Sequence, residues 1–131
     1  MSTNPSELDA AALDFLAERH LATLTTVDTA GRPHAVPVGF TWDPTSGLAR
    51  IITRGGSRKA LRLAAAPGSP VTVCQIDGGR WLAMEGTAVV TDEAQRVGEA
   101  VERYAVRYRQ PEVNDARVAI EITVERVIGR W

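Results

Sequence analysis

The feature that most constrains this chain is how quickly extended runs and turn sequences succeed one another. β-Branched residues dominate "HLATLTTV" up to Val27, "DTAGRP" then supplies turn chemistry, and a second extended run, "HAVPVGFTW", follows. "DPTSG" turns the chain into "LARIITR", and later "VTVCQID" and "RWLAMEGTAVV" flank Gly78 and Gly79, a strong hairpin signal. The last segment, "RVAIEITVERVIGRW", alternates. Val118, Ile120, Ile122 and Val124 fall on a core face, and Arg117, Glu121, Thr123 and Glu125 on a solvated one.

Three helices are expected among these runs. The first starts from a Ser6/Asp9 capping box and presents Leu8, Ala12, Phe15 and Leu16, and the second covers residues 57–66 before "PGSP". The third, capped by Asp92 with Gln95, turns Ala94, Val97, Val101, Tyr104, Ala105 and Tyr108 inward and ends before Pro111. Six mostly antiparallel strands in 131 residues leave too many edges for an open sheet. The expected architecture is therefore mainly β with flanking helices (α+β), the sheet curled into a small barrel.

With 15 basic and 16 acidic side chains the formal charge is -1, which excludes a generally basic polyanion binder and leaves no expectation of nucleic acid. Affinity for phosphate or carboxylate must then come from a local cluster of cations. The lone Cys74 can form no internal disulfide and has no metal pattern around it, so a buried small hydrophobe and no metal site are expected. No run is long enough to cross a bilayer and no basic leader precedes an apolar stretch, so a cytoplasmic protein with no membrane association is expected, residues 1–131 forming a single domain.

One local cluster stands out. In "ITRGGSRKALRL" a helix start, the partly positive end of the peptide dipole, carries Arg58 and Lys59, with Arg54 just upstream and Arg62 one turn on. A bound phosphate resolves the repulsion: Gly55 and Gly56 give backbone freedom, Ser57 caps the helix, and the first-turn N–H groups attract the same anion as the side chains. The alternative is a solvated basic helix start costing about a few tenths of a kcal/mol.

In the second extended run, His34, Val36, Val38, Phe40 and Trp42 share one face, and Ala35, Pro37, Gly39 and Thr41 the other. The face stripped of bulk suits a flat ligand lying against backbone, or is filled by neighbouring side chains. His34 is a candidate proton donor or an ordinary surface residue; Trp81 and Gln75, flanking "DGGR", offer a wall and an amide to a heterocycle, or belong to the core. No nucleophile triad, Walker loop or Rossmann fingerprint is present, so no catalytic side chain is assigned, and redox chemistry would belong to a bound cofactor.

The succession "HLATLTTVDTAGRPHAVPVGFTWD", "ARIITRGGSRKA" and "GGRWLAMEGTAVV" resembles the split-barrel flavin and deazaflavin oxidoreductases, the pyridoxamine 5'-phosphate oxidase-like group, and within it the actinobacterial F420H2-dependent biliverdin reductases. The resemblance covers nearly the whole chain. It implies a six-stranded antiparallel split β-barrel of the FMN-binding type, and a homodimer with cofactor sites at the subunit interface. Thr53 and Ser57 to Lys59 look like the phosphate segment, His34 to Val38 fall where the ring lies, and Trp81 matches a position that contacts the cofactor from the facing subunit.

Arg54, Arg58, Lys59 and Arg62 favour coenzyme F420, with its phosphodiester and polyglutamate tail, over FMN. The implied activity is hydride transfer to a conjugated small-molecule acceptor, biliverdin or a similar tetrapyrrole, whose propionates would meet Arg80 or Arg117. The alternatives are an FMN-dependent oxidoreductase of the same group, a non-catalytic flavin, deazaflavin or haem binder, and a purely structural dimer. Pyridoxine chemistry is disfavoured because the chain stops at Trp131, without the substrate-binding tail of those oxidases.

Overall fold

A computed structural model describes residues 2–131. The elements are β1 (Ser2–Thr3), α1 (Ala10–Ala17), β2 (Ala22–Val27), β3 (Pro33–Val38), β4 (Thr41–Asp43), β5 (Leu48–Arg54), α2 (Arg58–Ala65), β6 (Ser69–Asp77), β7 (Arg80–Thr91), α3 (Ala94–Arg107) and β8 (Arg117–Arg130). All pairings are antiparallel, in the order β3-β2-β6-β7-β8-β5-β4, with β1 added to the far end of β8. β3 and β4 are neighbours in sequence yet stand at opposite ends of that path, so the curled sheet returns on itself without a continuous ladder: a split barrel.

Inward residues alternate as strand geometry demands. Leu24, Ile51, Val73, Leu82, Met84, Ile120, Ile122 and Val127 fill the interior, and Phe15 of α1 joins them. At Glu85/Gly86 the β7–β8 register slips by one residue, which lets Val124 and Val127 both face inward while Glu125 and Arg126 stay exposed. No helix among the described residues is long and apolar enough to cross a membrane.

Several local expectations are corrected. The second extended run is two strands, because Gly39 and Phe40 break it: Phe40 turns into the core, and Gly39 lies so close to α3 that a Cβ there would sit 3.1 Å from the Tyr104 ring and 3.2 Å from that of Tyr108. Its period of two is lost there, since Phe40 and Thr41 are both buried. Together with β1 this gives eight strands where six were expected. α1 is capped by Asp9, whose carboxylate accepts from Ala12 N at 2.9 Å, not by Ser6, which lies in a preceding 3-10 turn. The N-cap of α3 is Glu93, whose N–H donates to Thr91 Oγ1, with Asp92 making no cap.

The polar face of β8 is not wholly solvated. α3 covers it at Ala119 and Glu121, and Glu121 is buried against Arg96. Cys74 is only half-buried, on the outer side of β6, and that burial pushes its thiol up.

Candidate functional site

β5 delivers the chain to the cationic helix start. Gly55 N donates to Ala116 O at 2.7 Å, and a Cβ on Gly55 would sit 3.3 Å from that oxygen, a tight contact that glycine avoids. Neither Gly55 nor Gly56 has a positive φ, which corrects the expectation that unusual backbone angles explain them. Ser57 caps α2: its Oγ accepts from Ala60 N at 3.3 Å and from Thr53 Oγ1 at 3.2 Å, while Ser57 N donates to Arg54 O at 3.0 Å. Two of the four first-turn donors are thus satisfied, and those of Arg58 and Lys59 have no acceptor among the described residues.

Charge around this point is uncompensated. Several arginines elsewhere are paired: Arg50 with Asp43 at 3.0 Å, Arg80 with Glu18 at 2.9 Å, Arg96 with Glu121 at 2.5 Å. Arg54, Arg58, Lys59 and Arg62 have no carboxylate within 4.0 Å among the described residues. Lys59 is half-buried; burial first, and the nearby Arg54 second, push its ammonium below the usual lysine range. Arg62 donates to Thr26 Oγ1 at 3.1 Å.

In front of α2 runs a groove bordered by β3, an edge strand paired only with β2. One lobe, of about 320 Å³, is lined by Thr26, His34, Ala35 and Val36 with Arg58, Lys59 and Arg62. The next, of about 300 Å³, is lined by Pro37, Val38, Thr53 and Arg54, with Tyr104, Asn114 and Arg117 opposite. Lys59 borders both. Ala35 and Pro37, the small residues of β3, are exposed, and nothing among the described residues fills the space over them. His34 Nε2 lies 2.9 Å from Asp28 Oδ2; that contact, with the N–H groups of Arg32 and Ala30, holds the Asp28 carboxyl below the usual range.

The fold therefore brings together His34 to Val38, Thr53, Arg54, Arg58 and Lys59, with Ser57, Gly55 and Gly56 as the turn beneath them. It sets two candidates apart. Gln75 is fully buried, its amide donating to Phe15 O at 2.9 Å and accepting from Arg107, so it faces no ligand in this chain. Trp81 sits on the outer sheet face, 37% exposed and paired with Ile76, and lines neither lobe.

Arg80 is unavailable to a substrate carboxylate, being bound to Glu18 and Asp77 and stacked 4.4 Å from the Phe15 ring. Glu18, His20 and Asp77 do gather metal-ligand atoms within 4.8 Å, but Arg80 already pairs with both carboxylates. Tyr104, Gly39 and Asn114 are groove residues that sequence reasoning missed; Tyr104 was legible only as part of an apolar helix face.

A split barrel with a cationic groove beside its edge strand defines the class of protein. The chain belongs to the pyridoxamine 5'-phosphate oxidase family, whose model matches residues 8–130. Over 129 residues, 98% of this chain and 93% of the relative, it is 47% identical to an F420H(2)-dependent biliverdin reductase from Mycobacterium tuberculosis (strain CDC 1551 / Oshkosh). Among solved structures, a conserved hypothetical protein from Mycobacterium tuberculosis superposes with TM-score 0.76 at 22% identity, covering 93% of this chain and 84% of that one. An F420 reductase superposes with TM-score 0.70 at 21% identity (88% and 94% covered). A heme storage protein from Vibrio cholerae gives 0.71 at 17% (92% and 93%). At these identities the structural likenesses establish the fold alone.

Proposed function

We propose that this chain is an F420H2-dependent reductase that transfers a hydride to a conjugated acceptor, biliverdin or a related tetrapyrrole, with residues 1–131 acting as one cofactor-binding domain in the cytoplasm. The observation that carries the reading is the uncompensated cluster of Arg54, Arg58, Lys59 and Arg62 at a helix start that opens onto a groove along β3. The 47% identical relative supports the choice of coenzyme and acceptor.

The residues fit such a coenzyme on physical grounds. The free N–H groups of Arg58 and Lys59 and the desolvated Lys59 ammonium form a cradle for a phosphate, which relieves the mutual repulsion of the cations. When bound, the reduced deazaflavin supplies the hydride. The exposed Ala35 and Pro37 let a flat ring lie close to the β3 backbone, and Pro37, Val38 and Tyr104 wall the second lobe so that donor and acceptor carbons are held together with water displaced. His34, tied to Asp28, lies beside this ring position; the proton that completes the reduction comes from it or from water.

A homodimer completes the reading: a second copy packed on the outer sheet face brings its Trp81 to the cofactor and makes two equivalent sites. The deciding experiment is a fluorescence titration of the purified protein with oxidised F420 beside FMN, followed by turnover of biliverdin with the reduced coenzyme. F420 is expected to bind at micromolar or tighter concentrations and to support turnover. Preference for FMN reverses the cofactor assignment, and binding without turnover above free coenzyme makes the protein a carrier.

A further inference from the structure

The second lobe carries a juxtaposition that a phosphate cradle does not require. Arg54 and Arg117 are directly opposed partners at the end of the β5–β8 ladder. Like charges facing each other across a ladder are destabilising. Neither has a carboxylate within 4.0 Å among the described residues; the Arg117 guanidinium donates to Glu112 O, at 2.7 Å, although Asp92 and Asp115 share the adjoining hollow with it. Both arginines line the same cavity of about 300 Å³. Asn114 lines it too, and because its Oδ1 accepts from Ala116 N at 2.9 Å, its amide N–H2 is the end left to donate.

We propose that Arg54 and Arg117, with Asn114, form a carboxylate subsite distinct from the phosphate cradle at Arg58, Lys59 and Arg62. This deepens the function proposed above and rests on its placement of the ring along β3. With the phosphate in the first lobe, the second lies toward Val38 and Gly39, and two arginines opposed in register and lining one cavity there suit a carboxylate. The carboxylate belongs to the acceptor or to the glutamate tail of the coenzyme, and a probe set separates these sources.

The test titrates full-length wild-type protein, Arg54→Gln and Arg117→Gln with biliverdin, biliverdin dimethyl ester, F420 and FMN. Each variant is expected to weaken biliverdin by roughly tenfold or more, with FMN affinity unchanged in Arg117→Gln, which lies outside the cationic cluster, and the ester is expected to bind wild type and variants alike. Loss confined to F420 assigns the carboxylate to the coenzyme tail and keeps the subsite.

Equal affinity of all three proteins for all four probes overturns the proposal. Failure of F420 and FMN to bind any of the three, with biliverdin still lost on substitution, sinks the cofactor reading and leaves the subsite standing. As a check on folding, Arg54→Gln removes an unpaired charge and is expected to raise the melting temperature of the ligand-free protein. A marked fall would show that Arg54 is structural, and would overturn the proposal as well.

Discussion

At the scale of single residues, Lys59 concentrates the physics of the site. Its ammonium is desolvated and sits near Arg54, so the folded chain binds its proton less tightly than the unfolded chain does. Between that lowered folded value and the ordinary lysine range the unfolded state carries more protons, and stability of the ligand-free protein rises with pH through that window. An anion in the cradle restores the proton's affinity, so coenzyme binding should weaken as pH climbs through the Lys59 transition.

Lys59→Ala is expected to weaken F420 roughly tenfold or more, since a charge-assisted phosphate contact contributes about 1.5–3 kcal/mol, without lowering the ligand-free melting temperature. Fluorescence titrations across pH, with melts alongside, check both halves. Ser57 and its cap were legible from the sequence because capping is local chemistry. Gln75 was not: its burial depends on Phe15 and Arg107, which lie 60 and 32 positions away in sequence.

At the scale of elements, α3 decides the shape of the second lobe because it carries Tyr104, and an ionic rack holds it to the barrel. Arg103 reaches Asp43 at 3.1 Å, Arg50 lies 3.7 Å from Glu99, and Arg96 binds Glu121. Asp43 is the hub. Burial raises its carboxyl, but Ser46 Oγ, Arg50, Thr45 N and the nearby Arg103 together outweigh that and hold it at about 2. The lowered value means that its contribution is complete above the ordinary carboxylate range and is lost as pH falls from there toward 2.

Asp43→Asn leaves the buried Arg50 guanidinium with only the longer contact to Glu99, at an expected cost of about 3 kcal/mol. Denaturant melts at neutral pH should show that loss, and the gap from wild type should narrow between pH 4 and about 2. The sequence pattern revealed α3 and its apolar positions but hid this rack. Periodicity sorts residues into apolar and polar faces, and it placed Glu121 in solvent on an alternation that takes no account of a helix packing over the strand. The break at Gly39 escaped for the same reason, since the strand there packs against the rings of Tyr104 on α3 and Tyr108 at its C-cap.

At the scale of the whole molecule, the outer face of the β2-β6-β7 sheet is unfinished. Leu21, just ahead of β2, is 66% exposed and Ile76 is 60% exposed, and Trp81 stands directly across from Ile76. Half-buried Cys74 continues the apolar surface along the same face, with buried Ala83 directly across from it. Contiguous apolar surface of this kind marks an interaction site more often than open solvent. The barrel was legible in the sequence because many short strands must hide their edges, whereas this face was not, since a row such as Thr23, Cys74 and Ala83 reads as neither core nor polar.

Its position beside β3 fits a second copy, which would bury the apolar row and supply the wall that the groove lacks. A stable interface of this sort covers roughly 800 Å² per partner, so a single charge at its centre should be decisive. Ile76→Glu is therefore expected to shift the protein from dimer to monomer by light scattering. It should also weaken F420 even though Ile76 touches neither lobe, because the partner's aromatic contribution leaves with the partner. A monomeric wild type, or a monomeric variant that binds F420 as tightly as wild type, would mean that one chain holds the coenzyme alone.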